Sequence, residues 1–382
     1  MYVEKTELEN FRNYKNLVLN FNPKVNLVLG KNGEGKTNLL EAVHFGFTGV
    51  PLRFATIKDL VCNENPAGNT ERLALYSRVN LEINRNESKD IISTRIVEQK
   101  RRVFLNDKPA TIKSLNPFQS TIVFTPESLS AVKEGAAQRR RFLDELWMTV
   151  SPLAGEILND YQKALTSRNK VLKNGIEGGL SLGEQKHLLE SLNHSFLPLA
   201  TEVIWGRIQA ATRALNAANE AYSTLLRGNT VDLRVDYIIS AQSAIDWSKN
   251  QVYDRLVSRL KELQATEIQV GASLIGPHKH DVRFLVNGKD ARIFCSQGQQ
   301  RAVVLAFKVA QARLHRDCRG HEPILLLDDV FSELDSIRRE QLLLLLCERR
   351  GQMILTAIDD SAPALQFGSD VSVYRVSKGQ VT

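Results

Sequence analysis

An eight-residue segment near the N-terminus has the composition and spacing of a phosphate-binding loop. Residues 30–37 read GKNGEGKT and fit the pattern G-x-x-x-x-G-K-[ST]. The glycines let backbone N–H groups surround a phosphate, the lysine neutralises β- and γ-phosphate charge, and the threonine hydroxyl can bind Mg²⁺. The segment therefore predicts a site for ATP with Mg²⁺. The residues assigned to nucleotide binding are Gly30, Lys31, Asn32, Gly33, Glu34, Gly35, Lys36, Thr37 and Asn38.

A second element of this chemistry follows a strongly apolar stretch. Residues 324–327 read ILLL and precede Asp328 and Asp329. Four apolar residues in a row suit a central parallel strand, and two carboxylates at its end are costly to bury unless a metal ion and a water use them. We assign Asp328 and Thr37 to Mg²⁺, and Asp329 to orienting or deprotonating the attacking water. The predicted catalytic residues are therefore Asp329 and the phosphate-binding Lys36. The alternative is an aspartate pair that caps a helix.

A third element precedes a strongly helical segment. Residues 295–301 read CSQGQQR, and a small polar residue with a glycine at a helix start can bind an anion through its hydroxyl and backbone N–H groups. Taken alone, a simple N-cap is the commoner explanation. Considered together with the other two elements, the segment is similar to the signature loop of ABC-type ATPases. That loop contacts the γ-phosphate held by a partner subunit. The residues assigned to this contact in trans are Ser296, Gln297, Gly298 and Gln299.

The elements that position these residues follow from hydrophobic periodicity. A strand is predicted at residues 25–29 and a helix at 38–47, so the glycine-rich loop joins a strand to a helix. Short alternating segments between about residues 70 and 125 predict further strands, with a hairpin turn at Asn106-Asp107. Residues 138–263 have helical periodicity and predict an inserted helix–loop–helix arm, interrupted by a β segment at 232–239. Strand and helix patterns alternate again from about residue 264.

Composition limits the class of protein. The chain has 382 residues, 43% hydrophobic, with 50 basic and 43 acidic side chains and a formal charge of +7. No apolar run approaches the ~20 residues of a membrane span, and the first residues lack the pattern of a signal peptide. Four widely separated cysteines favour neither a zinc site nor a disulfide framework, and His278 and His280 favour a core or hydrogen-bonding role over metal binding. We therefore expect a cytoplasmic protein.

Two basic clusters are candidates for contact with DNA phosphates. A net charge of +7 is only a modest bias, and solvated surface charge is the commoner explanation for any one cluster. Their occurrence in a chain with a predicted ATP site makes contact with DNA a stronger hypothesis. The candidates are Lys100, Arg101, Arg102, Arg139, Arg140 and Arg141. The last three have an alternative, which is pairing with Asp144 or Glu145.

Several stretches together resemble the RecF family, SMC-like members of the ABC ATPase superfamily. They are LENFRNY at 8–14, GKNGEGKTNLLEAV at 30–43, FTPESL at 124–129, RRRFLD at 139–144, Tyr161 with Arg168-Asn169, GPHKHD at 276–281, SQGQQR at 296–301 and LLLDDVFSELD at 325–335. The resemblance implies an α/β fold: an ABC-type P-loop ATPase head with a mixed sheet, helices and a β subdomain, and an inserted helical lobe with a short coiled arm. The implied boundaries are 1–137 and 264–382 for the head and 138–263 for the lobe.

The resemblance also implies a function. It implies ATP-driven homodimerisation, binding to double-stranded DNA at junctions with single strands, weak DNA-stimulated ATP hydrolysis that releases the dimer, and cooperation with RecR and RecO in placing RecA on gapped DNA. By motif match, residues 332–335 correspond to the D-loop, with Asp335 at the dimer seam. A clamp that binds DNA under the control of ATP without hydrolysing it stays open as an alternative.

The chain departs from the superfamily pattern at several positions. Transporter-type ATPases have a histidine after the strand that follows the acidic motif, whereas this chain has Thr356, so any γ-phosphate sensor there is a hydroxyl. Asp329 stands where many ABC enzymes have glutamate. Neither Gln119 nor Glu127 is a clear match to the glutamine of the Q-loop. Leu52 stands where the family usually has a serine, and it receives no role.

Overall fold

The computed structural model describes residues 1–52, 55–62, 76–85, 88–118, 120–228, 231–358 and 370–382. It divides into two compact units. The first consists of Met1–Glu127 and His315–Thr382, and the second of Ser128–Leu314. In the described part of the chain, no helix is both long and apolar enough to cross a membrane.

The strands of the described residues are numbered in chain order. They are β1 (Tyr2–Phe11), β2 (Tyr14–Asn20), β3 (Val25–Leu29), β4 (Tyr76–Arg85), β5 (Ser88–Val97), β6 (Lys100–Leu105), β7 (Lys108–Ala110), β8 (Thr121–Phe124), β9 (Leu233–Ile239), β10 (Gln242–Ser243), β11 (Asp281–Val286), β12 (Lys289–Asp290), β13 (Ile324–Leu327), β14 (Met353–Ala357), β15 (Val371–Ser377) and β16 (Gln380–Val381).

The α-helices of the same residues are also numbered in chain order. They are α1 (Lys36–Thr48), α2 (Pro126–Leu129), α3 (Ala136–Val150), α4 (Ala154–Ile176), α5 (Leu182–Leu225), α6 (Lys249–Val270), α7 (Ala291–Phe294), α8 (Gln297–Arg319) and α9 (Ser336–Cys347).

A mainly parallel sheet in the first unit carries the predicted nucleotide elements. Its strand order is β16-β15-β3-β14-β13-β8, and all neighbours are parallel except β15 and β16. Every residue of β3 and β13 is buried, which is expected for central strands covered on both faces. The carboxyl ends of parallel strands meet at one edge, so the loop after β3 and the acidic pair after β13 lie at the same edge of this sheet.

An antiparallel sheet, with order β2-β1-β4-β5-β6-β7, packs against α1 in the same unit. One hydrophobic core joins the two sheets and this helix, and it includes Phe45 of α1, Leu81 of β4 and Leu326 of β13. At Gly46 an added Cβ would lie 2.5 Å from the Leu81 side chain. The absence of a side chain at Gly46 therefore lets the helix lie close to the sheet.

The second unit consists of long helices and a small antiparallel sheet. Helices α4 and α5 form a helical hairpin, and Ser181 begins α5 with a capping box in which its hydroxyl accepts from the Glu184 N–H. The sheet has the order β10-β9-β11-β12. Strands β9 and β11 pair although they are more than forty residues apart in sequence. Leu233 is paired with Val286 at one end of the ladder, and Ile238 with Asp281 at the other. This pairing joins the chain on either side of α6 into one unit.

The fold class predicted from sequence is confirmed, and so are most of the elements. The structure contains β3, α1, the helical hairpin, the β segment at 233–239 and the turn at Asn106-Asp107, where both residues have positive φ. The unit boundaries differ from the predicted ones. The second boundary lies at 314/315 instead of 263/264, because β11 pairs with β9 and keeps residues 264–314 with the helical unit. The turn at 296–299 consequently belongs to the second unit.

Candidate nucleotide-binding site

The glycine-rich loop has a backbone that only glycine adopts without strain. It joins β3 to α1, as predicted, and Gly33 and Gly35 have φ values of 84° and 116°. At Gly35 an added Cβ would also lie 2.3 Å from Nδ2 of Asn13. The loop is therefore closely packed on one side, and its backbone N–H groups stand at the start of a helix, where phosphate binding is favoured.

Lys36 lies across this loop. Its ammonium donates to the carbonyl oxygens of Gly30, at 2.5 Å, and Lys31, at 3.1 Å. Burial lowers the pKa of the ammonium, and the carboxylates of Asp329, Asp328 and Glu34 oppose that shift. These contacts hold the lysine nitrogen at the loop, among the acidic groups that the sequence assigns to the same chemistry.

The predicted metal ligands lie in contact. The Thr37 hydroxyl donates to Oδ1 of Asp328 at 2.8 Å, across 291 residues of sequence. Both are hard oxygen ligands, and Mg²⁺ is typically bound by one or two such protein groups together with phosphate oxygens and waters. The donor set therefore fits magnesium, and Thr37 and Asp328 are the residues that would hold it.

Asp329 adopts a left-handed backbone, with φ of 48°. Its N–H donates to the Thr356 hydroxyl at 2.9 Å, and its carbonyl accepts from the Ser332 hydroxyl at 2.7 Å. The carboxylate is near enough to Lys36 to oppose the lowering of the ammonium pKa by burial. The loop lysine and both acidic residues therefore lie at one end of the parallel sheet, while the role of Asp329 toward water stays a proposal.

Two residues of the NFRNY stretch form hydrogen bonds with the glycine-rich loop. This role was not predicted from the sequence. The Asn13 amide donates to the Glu34 carbonyl at 2.9 Å and accepts from the Asn38 amide at 2.8 Å. The Tyr14 hydroxyl donates to the Gly35 carbonyl at 2.9 Å, and burial raises the pKa of this phenol, so it stays protonated as the donor. The signal in the sequence was the resemblance of residues 8–14, which gave these residues no role.

The arginine of the same stretch holds α1 by a bidentate ion pair. Arg12 donates from Nε and Nη2 to the two carboxylate oxygens of Glu41, at 2.8 and 3.2 Å, and from Nη1 to the Asp59 carbonyl at 2.8 Å. Glu41 is fully buried and also accepts from the Leu52 N–H. A buried carboxylate is therefore satisfied by one guanidinium and one backbone donor, one turn beyond the glycine-rich loop.

In the second unit, the turn at 296–299 is an N-cap. The Ser296 hydroxyl accepts from the Gln299 N–H at 3.3 Å, and Oε1 of Gln299 accepts from the Ser296 N–H at 2.9 Å, which is a capping box. Gln300 fastens the turn through its amide, which donates to the carbonyls of Ala291, Arg292 and Cys295. Ser296 and Gln297 are exposed and Gly298 is half-buried. The segment thus forms an N-cap, which does not exclude contact in trans, and that contact stays a proposal.

Asp335 is likewise a cap. It begins α9, accepts from the Arg338 N–H at 2.9 Å and pairs with the Arg338 side chain. Its role at a dimer seam stays a prediction. Gln119, which was considered for the Q-loop, lies outside the described residues.

The basic clusters divide into exposed and structural residues. Lys100, Arg102 and Arg141 are exposed. Nε of Arg141 lies 3.5 Å from Oε1 of Glu145. Arg101 is half-buried, donates to the Gly49 carbonyl, and has its pKa lowered by burial.

The structure corrects the expectation for Arg139. Its side chain is only 4% exposed and forms a bidentate ion pair with Asp281, at 2.9 and 3.0 Å, so it is unavailable to DNA. Arg140 is half-buried and donates to the His280 carbonyl at 2.7 Å. Both arginines fix the start of β11, because Asp281 is its first residue and His280 immediately precedes it.

The remaining motif residues, around the GPHKHD stretch, form hydrogen bonds within the second unit. The Tyr161 hydroxyl and Nδ1 of His278 are 2.7 Å apart, and Nε2 of the same ring is 3.2 Å from the Ser273 carbonyl. Arg207 donates to the Pro277 carbonyl and pairs with Asp144. The prediction of a hydrogen-bonding role for His278 is confirmed.

We expect acid to destabilise the second unit through His280. Burial, together with the charges of Arg207, His278 and Arg140, lowers the pKa of this imidazole to about 3, and Tyr237 packs edge-on against the ring. The unfolded histidine takes up a proton near pH 6.5 and the folded one does not. Stability is therefore complete above that pH, and falls below it by about 1.4 kcal/mol per pH unit.

Urea unfolding at about pH 7.5 and about pH 5.5, in wild type and His280→Gln, measures this slope. The variant should lose most of the pH dependence that His280 supplies. His194→Gln, which changes an exposed histidine of α5, is the control. A slope unchanged in His280→Gln would show that His280 is not the group responsible.

Known proteins that are similar to this chain indicate its family. Residues 2–381 match the family model described as the RecF/RecN/SMC N terminal domain. The DNA replication and repair protein RecF of Heliobacterium modesticaldum is 32% identical over 384 residues, which cover 100% of this chain and 99% of that protein. The chain belongs to the RecF family. A second RecF relative, from Lysinibacillus sphaericus, is 33% identical over 348 residues, covering 90% of this chain and 89% of that protein.

Solved structures place the fold in the same group. A recombination mediator protein RecF with ATP, described as part of the RecFOR pathway, has a TM-score of 0.84 at 26% identity, and the match covers 100% of this chain and 97% of that one. An Smc head domain from Pyrococcus furiosus has a TM-score of 0.54 at 16% identity. The second similarity concerns the fold alone. The RecF fold is thus an SMC-like, ABC-type ATPase head with an arm.

Proposed function

We propose that this RecF-family chain is a DNA-dependent ATPase of DNA replication and repair. In this proposal it binds ATP at residues 30–37, dimerises on ATP and binds DNA at junctions of double and single strands. The observation that carries the proposal is the 2.8 Å hydrogen bond between Thr37 and Asp328, because it joins the phosphate loop to the acidic strand. A glycine-rich surface turn with a fortuitous lysine would not require that partner.

Each residue of the site has a defined task. Lys36 neutralises β- and γ-phosphate charge, and backbone N–H groups of the loop bind the phosphates. Thr37 and Asp328 would hold magnesium, which when bound would neutralise phosphate charge. Asp329 accepts a proton from, or orients, the water that attacks the γ-phosphate. Asn13 and Tyr14 keep the loop backbone in its binding shape through their contacts with Glu34 and Gly35.

Dimerisation would follow from ATP bound at each copy's loop. The turn at Ser296–Gln299, whose first two residues are exposed, offers a hydroxyl and helix-terminal N–H groups to the γ-phosphate held by the second copy. Each charge-assisted hydrogen bond contributes roughly 1.5–3 kcal/mol, and a two-fold arrangement doubles the number of contacts. ADP lacks the γ-phosphate, so hydrolysis would weaken the dimer and limit its time on DNA.

DNA contact is proposed for the exposed basic residues. Lys100 and Arg102 of β6 and Arg141 of α3 are the exposed candidates. Arg139 is buried in an ion pair, and Arg101 and Arg140 are half-buried and donate to backbone carbonyls. We expect contacts with phosphates and little reading of base sequence, so affinity should fall steeply with salt. Cooperation with RecR and RecO in loading RecA is part of the proposal, and it rests on family resemblance.

Sedimentation velocity with Mg²⁺ tests the proposal as a whole. The protein is run with a non-hydrolysable ATP analogue, with ADP and without nucleotide, each with and without a gapped DNA duplex. We expect a dimer with the ATP analogue, its retention on gapped DNA, and monomers with ADP. Phosphate release is measured in parallel. A monomer under every condition that also ignores DNA would refute the proposal, and a DNA-bound dimer without phosphate release would favour the non-hydrolysing clamp.

We expect Ser296→Ala to block ATP-dependent dimerisation while the monomer still binds ATP. The substitution also removes an N-cap, which costs about 1 kcal/mol of stability. Ser248→Ala is a matched control, because Ser248 caps α6 with the same capping box, and its hydroxyl accepts from the Gln251 N–H at the same 3.3 Å. Both variants should lose similar stability, and only Ser296→Ala should stay monomeric. Normal dimerisation by Ser296→Ala would remove the contact in trans.

A further inference from the structure

Thr356 occupies a position between the two halves of the ATP site. It lies in β14, which is hydrogen-bonded to β13 on one side and to β3 on the other. In register it is paired with Val28 of β3, and the preceding residue, Leu355, is paired with Leu327, just before the acidic pair. Its side chain is almost fully buried. A hydroxyl at this place is therefore surrounded by the elements that form the site.

The hydroxyl is hydrogen-bonded to both acidic residues. It donates to Oδ1 of Asp328 at 2.9 Å and accepts from the backbone N–H of Asp329 at 2.9 Å. The same Oδ1 accepts from the Thr37 hydroxyl at 2.8 Å. One side chain thus fixes the carboxylate proposed to hold magnesium and the left-handed backbone of the residue proposed to act on water.

These bonds argue against the role that a transporter-type ATPase gives to this position. A threonine hydroxyl has a single hydrogen, and Asp328 already receives it. In this arrangement Thr356 cannot also donate to a γ-phosphate. Threonine in place of histidine therefore corresponds to a different set of contacts, with the acidic pair. It is not simply a weaker contact with the γ-phosphate.

We propose that Thr356 is a positioning residue for the acidic pair and is not a γ-phosphate sensor. It sets the orientation of the Asp328 carboxylate toward the metal and the turn of the chain at Asp329. The inference rests on the proposed function in one respect, namely that Asp328 holds magnesium with the nucleotide. Thr356 acts through the metal ligand, and it should therefore affect the Mg²⁺-dependent binding of ATP and of ADP alike.

Thr356→Val tests this role, because it replaces the hydroxyl with a methyl group of similar size. Nucleotide affinity is measured by calorimetry, as a function of Mg²⁺ concentration, with a non-hydrolysable ATP analogue and with ADP. Loss of a partner that orients a metal ligand typically weakens metal affinity by about 10- to 100-fold, so the Mg²⁺ concentration for half-maximal binding should rise by about that factor for both nucleotides. Affinity measured with EDTA should be unchanged. Thr356→Ser, which keeps the hydroxyl, should restore the metal dependence.

A γ-phosphate sensor would give a different result. Its loss would weaken the ATP analogue relative to ADP, with little effect on the metal requirement, and that result would overturn the proposal. Unchanged Mg²⁺ dependence in Thr356→Val, or failure of Thr356→Ser to restore it, would also overturn it. If wild type binds neither nucleotide, the proposed function fails. If wild type binds both and Thr356→Val matches it, only the role of Thr356 fails.

Two further variants control for folding. Thr6→Val removes the hydroxyl of another buried threonine of the first unit, whose bond goes to the Asn80 carbonyl in the antiparallel sheet. It should leave nucleotide binding and its metal dependence at the wild-type values. Thr356→Ala, which adds no methyl beside Asp328, is measured with Thr356→Val and should shift the metal dependence in the same direction. A normal metal dependence in folded Thr356→Ala would overturn the proposal even if the valine variant did not fold.

Discussion

Lys36→Ala should abolish tight ATP binding and, with it, the ATP-dependent dimer. The ammonium is the cation assigned to the β- and γ-phosphates, and it also bonds to the Gly30 and Lys31 carbonyls of the loop. Charged hydrogen bonds contribute about 1.5–3 kcal/mol each, so the loss of two or more should lower affinity by at least about 100-fold. Lys36→Arg keeps the charge but not the compact geometry, so we expect it to bind ATP without turnover.

Calorimetry and sedimentation with an ATP analogue and Mg²⁺ measure the two effects, and phosphate release measures turnover. Lys24→Ala is a suitable control, because Lys24 is an exposed lysine just before β3, at the other end of that strand from the loop. It should bind ATP and dimerise like wild type. Tight binding by Lys36→Ala, or wild-type turnover by Lys36→Arg, would contradict the assignment of the loop.

The central strands and the loop were predictable because their signals are local. The run at 324–327 is apolar over its whole length, the run at 25–29 is apolar except for Asn26, and every residue in both is buried. The turn at Asn106-Asp107 was predictable for the same reason, since both residues tolerate the positive φ that a tight hairpin requires. Motif spacing then indicated which ends of these elements carry the chemistry.

The features that sequence reasoning missed depend on partners distant in the chain. Arg139 pairs with Asp281, 142 residues away, so a basic run that predicted a surface contains a buried ion pair. Asn13 contacts the loop 21 residues later, and Thr356 contacts Asp328 from the neighbouring strand. The unit boundary was displaced for the same reason, because β9 pairs with β11 across α6. No local pattern contains these pairings.

These supports have a common property that matters for function. Asn13, Tyr14 and Thr356 contact backbone or side-chain atoms of the residues assigned to ATP and Mg²⁺. Chemistry that depends on positioned phosphates and a positioned water requires such fixed geometry. Variants of the supporting residues should therefore change metal dependence and turnover, whereas variants of Lys36 should remove nucleotide binding itself.

The largest loss of stability is expected for Arg168→Met in the helical unit. Arg168 and Glu267 are fully buried and form a bidentate ion pair, at 3.0 and 2.6 Å. The guanidinium also donates to Asn193 and Ser273 and lies 5.2 Å from the centre of the Phe196 ring. Removal of one partner leaves a buried charge uncompensated, which costs about 3–5 kcal/mol of the free energy of unfolding.

Urea unfolding of three variants separates the ion pair from the effect of a shortened side chain. Lys163→Met removes an exposed charge from the same helix, where Lys163 pairs with Asp160, and should change stability by less than about 1 kcal/mol. The double variant Arg168→Met with Glu267→Leu removes both buried charges and should recover part of the loss, since no buried charge is then left alone. Equal stability of Arg168→Met and Lys163→Met would contradict this account. A double variant less stable than Arg168→Met would assign the loss to the packing of the guanidinium against Phe196 and its hydrogen bonds to Asn193 and Ser273.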